Sequence, residues 1–192
     1  AKMRIFNKDG TEGLAGGNAI RCVGKYLYEK GIVLSRDMRI ETASGVKEVR
    51  VYSFNGKVNS ASVNLGKAEL AGKKIPCVWN EDKIVNKPVK IGGQDYKITL
   101  VNIGNPHCVV FSEKVDAVDV ETVGPLFENC DYFPERINAE FIRVVNKVTI
   151  KMRVWERGNG ETWSCGTGAA AAVVAAVLNG FCEKDTNITV KL

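Results

Sequence analysis

The chain has one histidine, His107, and none of its six cysteines stands in a CxxC pair. Zinc sites draw their ligands from such clusters, so no metal is expected. No apolar run approaches the ~20 residues that a membrane-crossing helix needs. The most apolar stretch, residues 169–178, reads as a buried helix instead. Positive charge is in slight excess, 27 Lys and Arg against 22 Asp and Glu, and it is scattered. A nucleic-acid surface wants a sustained basic stripe with aromatic partners, so nucleic acid and membrane are both excluded as partners. No apolar leader precedes the cysteines, which points to free thiols in a reducing cytoplasm.

What is present is enough apolar residue, 45% of 192 positions, for one large core or two small ones. Residues 3–6 alternate like a short strand. In residues 19–30, Ile20, Val23, Tyr26 and Leu27 recur at helical spacing, and Gly31 follows where a helix-ending glycine belongs. Strands are expected at 38–42, 46–54 and 57–65, with Asn55-Gly56 as a hairpin turn. Residues 80–94 are polar, and a domain boundary is set there, giving 1–90 and 91–192. Strands at 96–103 and 108–111 flank a loop, Gly104-Asn105-Pro106-His107. Residues 115–133 read as a loop with short helical turns. A hairpin at 140–155, a glycine-rich loop at 158–168, a second long helix to Asn179 closed by Gly180, and a strand from Asn187 complete the chain.

The chain repeats itself loosely at an offset of 149 residues. Met3-Arg4-Ile5-Phe6 matches Met152-Arg153-Val154-Trp155, and Glu12 matches Glu161. Gly16-Gly17-Asn18 matches Cys165-Gly166-Thr167, and Gly31 matches Gly180. The order of strand, turn, glycine loop, buried helix, glycine and strand implies two related halves. It also implies that strands are missing from both ends.

Cys165, in Trp163-Ser164-Cys165-Gly166-Thr167-Gly168, opens a helix. Unpaired amides and the helix dipole there are expected to stabilise a thiolate, making it a base, and to hold a carboxylate. The plainer alternative is a glycine loop with an incidental small cysteine. The matching Gly16-Gly17-Asn18 offers the same anion chemistry with no acid or base. Its plainer alternative is an ordinary helix start with Asn18 as cap. Cys22 reads as core. A lone histidine is more often structural, but a loop between two apolar strands favours function for His107 and Asn105. Glu156 and Arg157, beside the glycine loop, suit the charged ends of a zwitterion, although adjacent acid and base usually form a surface pair. Asn138 reads first as a turn residue.

Four segments resemble the diaminopimelate epimerase family. They are MRIFNKDG with GGNAIRC near the start, GNPHCVVF from Gly104, INAEF from Ile137 and WERGNGETWSCGTGAAAA from Trp155. The resemblance implies an α+β fold of two pseudo-symmetric domains, each with β-strands around a central helix and the active site in the cleft between them. It implies epimerisation of diaminopimelate by two-base proton transfer, without pyridoxal phosphate or any other cofactor, with a homodimer as the assembly. It carries a catalytic cysteine onto Cys165, base-assisting roles onto His107 and Glu156, and substrate contacts onto Asn7, Gly17, Asn18, Asn105, Asn138, Glu156, Arg157, Gly166 and Thr167. The family motif reads Cys-Gly-Asn-Gly-x-Arg-Cys; here Gly16 vacates the first cysteine and Ala19 replaces a glycine. A chain with one base is impaired, because inverting a carbon removes a proton from one face and returns it to the other. The competing readings are a non-catalytic amino-acid-binding relative and another cofactor-independent isomerase of the same fold.

Overall fold

Alternation of apolar and polar residues in the first third of the chain produces an open antiparallel meander with one helix on its buried face. The computed structural model describes residues 1–6, 10, 12–13 and 16–192. The chain divides into two compact units, Ala1–Gly66 and Lys67–Leu192. In the first, β1 (Ile5–Phe6) pairs antiparallel with β2 (Glu12–Gly13), and α1 (Gly17–Glu29) follows. The meander is β3 (Asp37–Thr42), β4 (Gly45–Phe54) and β5 (Lys57–Asn64). Met38, Ile40, Val49 and Val51 fall on one face, and Ile20 and Leu27 of α1 join them in the core. Gly24 lets α1 lie close: a Cβ there would stand 2.9 Å from Val49 Cγ1.

The second unit contains β6 (Lys87–Ile91), β7 (Gln94–Asn102), β8 (Pro106–Phe111), α2 (Val120–Glu128), β9 (Asn138–Asn146), β10 (Thr149–Glu156), β11 (Gly160–Thr162), α3 (Gly166–Leu178) and β12 (Thr189–Lys191). Its sheet runs β11-β10-β9-β8-β7-β6, with β12 also on β10. β8 and β9 are parallel, so the chain must cross over between them, and α2 lies in that crossover. α3 packs against β7 to β10. Its alanines permit this: Ala171, Ala172, Ala175 and Ala176 are all fully buried.

Three features differ from the sequence expectations. The compact units meet at Gly66/Lys67, not near residue 90. The polar stretch before β6 belongs to the second core because Ile75, Ile84 and Val89 anchor it beside Ile98 and Leu100. Residues 120–128 form a true helix, capped by the Asp119 side chain, which accepts from Thr122 N. Gly124 and Pro125 disguise it, and Gly124 is there to admit Trp155, whose ring would lie 2.5 Å from an added Cβ. His107 lies within β8, opposite Val101 of β7 and Asn138 of β9, and not in a loop.

The repeat recurs in the two helices and in the hairpin before each. α1 runs from 17 to 29 and α3 from 166 to 178, both ends shifted by 149. Ile5 pairs with Gly13 and Phe6 with Glu12, just as Val154 pairs with Thr162 and Trp155 with Glu161. Arg4 grips Glu12 through Nε at 3.0 Å and a terminal nitrogen at 2.9 Å, and Arg153 grips Glu161 at 2.8 and 3.0 Å. Both helices end on glycines with positive φ, Gly31 at 67° and Gly180 at 76°. Among the described residues no helix is long and apolar enough to cross a membrane.

Candidate active site

Cys165 is the N-cap of α3, with extended backbone, and the residue is 5% exposed. Its Sγ accepts from Gly168 N at 3.4 Å and lies 3.5 Å from Thr167 Oγ1. The amides of Gly166 and Thr167 open the helix, where backbone N–H groups have no intrahelical acceptor. This much follows the sequence expectation, but the thiol's state does not. Burial, reinforced by the nearby Glu140 and Glu156 carboxylates, pushes Cys165 up to about 12, against the pull of its bonds to Thr167 and Gly168. The expected stabilised thiolate is replaced by a resting thiol.

Parallel pairing of β8 and β9 assembles the rest. His107 and Asn138 are cross-strand neighbours, and both are buried. Asn138 Nδ2 donates to Pro106 O at 2.7 Å, and its Oδ1 accepts from Arg157 N at 2.9 Å. Asn138 is therefore a clamp between β8 and the end of β10, not a turn residue. His107 Nε2 lies 3.0 Å from Asn105 Oδ1. Glu156 accepts from Thr162 Oγ1 across the β10–β11 hairpin, and Arg157 Nη1 donates to Glu135 O at 2.9 Å. Asn105, His107, Asn138, Glu156, Arg157, Cys165, Gly166 and Thr167 thus belong to one unit, linked by hydrogen bonds or by the charges that act on Cys165.

Gly16, Gly17 and Asn18 open α1 in the other unit. Gly16 is the cap, and Asn18 is a helical residue whose Oδ1 accepts from Arg21. Asn7 lies outside the described residues.

Two carboxylates escaped the sequence reading. Glu140 of β9 is wholly buried, with Oε1 2.7 Å from His107 Nδ1. The signal was there: a single acid inside the apolar run Ala139-Glu140-Phe141-Ile142. Glu128, at the end of α2, accepts from Trp155 Nε1 at 2.6 Å, Gly158 N at 2.9 Å and Arg136 Nη1 at 3.1 Å. It fixes the turn that carries Glu156 and Arg157. No group of three or more metal-ligating side chains occurs among the described residues.

The diaminopimelate epimerase family profile matches residues 1–71 and 99–192. The chain is 48% identical over 189 residues to the diaminopimelate epimerase of Pelotomaculum thermopropionicum, covering 98% of this chain and 68% of that one. It is 45% identical over 196 residues to that of Desulfovibrio desulfuricans, with coverages of 99% and 68%. Among solved structures it resembles a hydroxyproline epimerase from Agrobacterium vitis with bound trans-4-OH-L-proline (TM-score 0.72, 13% identity, 97% of this chain and 58% of that one). It also resembles a probable proline racemase from Agrobacterium radiobacter K84 with bound carbonate (TM-score 0.69, 16% identity, 93% and 56%). The structural likenesses establish the α+β fold.

Proposed function

The chain belongs to the diaminopimelate epimerase family of isomerases, and from that premise we propose that it binds diaminopimelate at the start of α3 and transfers an α-proton on one face only. The observation that carries the reading is Cys165 at a helix start beside the Glu140 and Glu156 carboxylates, with Glu140 bonded in turn to His107 and His107 to Asn105.

An amino acid's α-proton is a very weak acid. Removing it requires a base in contact and donors on the carboxylate, where the charge of the enolate develops. The opening amides of α3 and the Arg157 guanidinium supply those donors. Cys165 supplies the proton carrier. With its proton held tightly, it rests as the acid and becomes a base only when that proton passes to water or to a neighbouring base. A substrate ammonium beside Glu140 and Glu156 offsets their charge and eases that step. The returning proton on the other face requires a second group, and at the position where the family motif has its other cysteine this chain has Gly16.

The test is proton exchange in D₂O, followed by NMR for the LL and meso stereoisomers. The unaltered chain is expected to exchange only the hydrogen facing Cys165 and to epimerise negligibly. Gly16→Cys should raise epimerisation by ~10²–10⁴-fold, the usual worth of a placed acid or base. A Cβ at Gly16 would stand 2.2 Å from Ile5 Cδ1. Ile5 must therefore turn aside, at a cost of about 0.5–1.5 kcal/mol for a strained rotamer, small beside that gain. Equal epimerisation with and without the substitution would show that another group serves as second base. Binding without any exchange would favour the amino-acid-binding reading, which the resting thiol and Gly16 both support.

A further inference from the structure

We infer that Glu140 is the positioning residue for His107: its carboxylate holds the hydrogen on Nδ1, so that Nε2 is the ring nitrogen that gains and loses a proton during turnover. The inference rests on the function proposed above.

The parallel register sets His107 opposite Asn138 and Val109 opposite Glu140. His107 and Glu140 are therefore two positions apart diagonally, on one face of adjacent strands. Both side chains are completely buried, and they meet at 2.7 Å. A neutral imidazole carries one hydrogen, and its position follows the partner that the other nitrogen finds. A carboxylate on Nδ1 selects Nδ1–H, as buried acids do behind catalytic and metal-binding histidines. Nε2 faces Asn105 at 3.0 Å. An amide suits that side because it presents either an oxygen or an NH₂ after a half-turn. Asn105 can accept from Nε2–H or donate to bare Nε2. While Glu140 is ionised, one nitrogen thus has an acceptor-only partner, and the other has a partner compatible with both of its states.

A core carboxylate is hard to account for by packing alone. Glu140 Oε2 finds no hydrogen-bond partner among the described residues, and burial raises the side chain's proton affinity. The surroundings make room for it. A Cβ at Gly168 would stand 2.7 Å from Glu140 Oε1 and 3.3 Å from Cys165 Sγ. The bare first turn of α3 therefore brings the His107–Glu140 pair beside the thiol, where an apolar residue would fill the same space.

Because His107 is the chain's one histidine, the ¹⁵N NMR spectrum of labelled protein reads this ring without ambiguity and without substrate. The expected result is a protonated Nδ1 in the unaltered chain. Glu140→Leu, which removes the acceptor, should release the hydrogen to Nε2. It should also slow α-proton exchange of diaminopimelate by ~10–100-fold, the usual effect of losing such a partner, with its Kd changed less than about twofold. Glu140→Gln keeps an acceptor oxygen and should recover part of both. A neutral ring carrying its hydrogen on Nε2 in the unaltered chain overturns the inference, and that result needs no variant to fold. Exchange that is intact and insensitive to Glu140→Leu overturns it as well. A chain without exchange overturns the proposed function, and with it this role for Glu140.

Discussion

Two opposed effects act on the Cys165 thiol, and their sizes differ. A helix start favours negative charge by about 0.3–1 kcal/mol, less than one pKa unit at 1.36 kcal/mol. Burial shifts an ionisable group by as much as several units, and here it acts with two carboxylates to bring Cys165 to about 12. At pH 8 the thiolate is then about one part in 10⁴. Cys22, which reads as core from the sequence, is exposed, and iodoacetamide at pH 8 is expected to label it well before Cys165. Labelling of Cys165 should rise tenfold per pH unit until about 12. A plateau near pH 8 would mean that the helix start prevails. The same shift ties stability to pH. The native thiol keeps its proton above the ordinary value of 9.0 while the unfolded chain loses it. Its contribution is therefore full below pH 9 and declines as pH rises toward about 12. Urea midpoints at pH 8 and 10 should fall further for the unaltered chain than for Cys165→Ala.

At the scale of elements, the first turn of α3 is built around what Gly168 lacks. Alanine is the better helix former by about 0.8–1 kcal/mol, so propensity alone favours Gly168→Ala. The added methyl would press on a carboxylate 2.7 Å away that His107 already holds. The expected outcome is a folded protein in which the His107–Glu140 bond is broken and exchange falls at least ~10-fold, measured by imidazole NMR and deuterium uptake. Unchanged exchange would show that the carboxylate has room to retreat. The long helices, the hairpins and the glycine loop were legible because their signals are local: helical spacing, Asn55-Gly56, and glycines at the starts and ends of α1 and α3. α2 was not, because its Gly124 answers to Trp155, thirty-one positions away. The unit boundary was missed because a polar stretch with few anchors, Ile75, Ile84 and Val89, still joins a core when those anchors are buried. Of the site, Cys165, His107 and Asn138 could be singled out one by one. Glu140 stands out as a lone acid in an apolar run, but its partner, like those of Glu128, emerges only when pairing sets β9 beside β8 and packing sets α2 beside β10.

Across the whole molecule, the offset of 149 offers a control. Gly31 and Gly180 end equivalent helices at φ 67° and 76°, and a Cβ at either would meet nothing within 4 Å. Gly31→Ala and Gly180→Ala should therefore each destabilise through backbone strain alone, by roughly 1–2 kcal/mol. Urea unfolding should show matched losses, whereas a loss at one site only would break the equivalence. A ladder register, an arginine–glutamate grip and two helix boundaries recur at one shift, so each half serves as a template for reading the other. Arg4–Glu12 and Arg153–Glu161 are alike and belong to the shared scaffold. Gly16 and Cys165 are not, and the asymmetry in chemistry sits at one position of two matching helix starts.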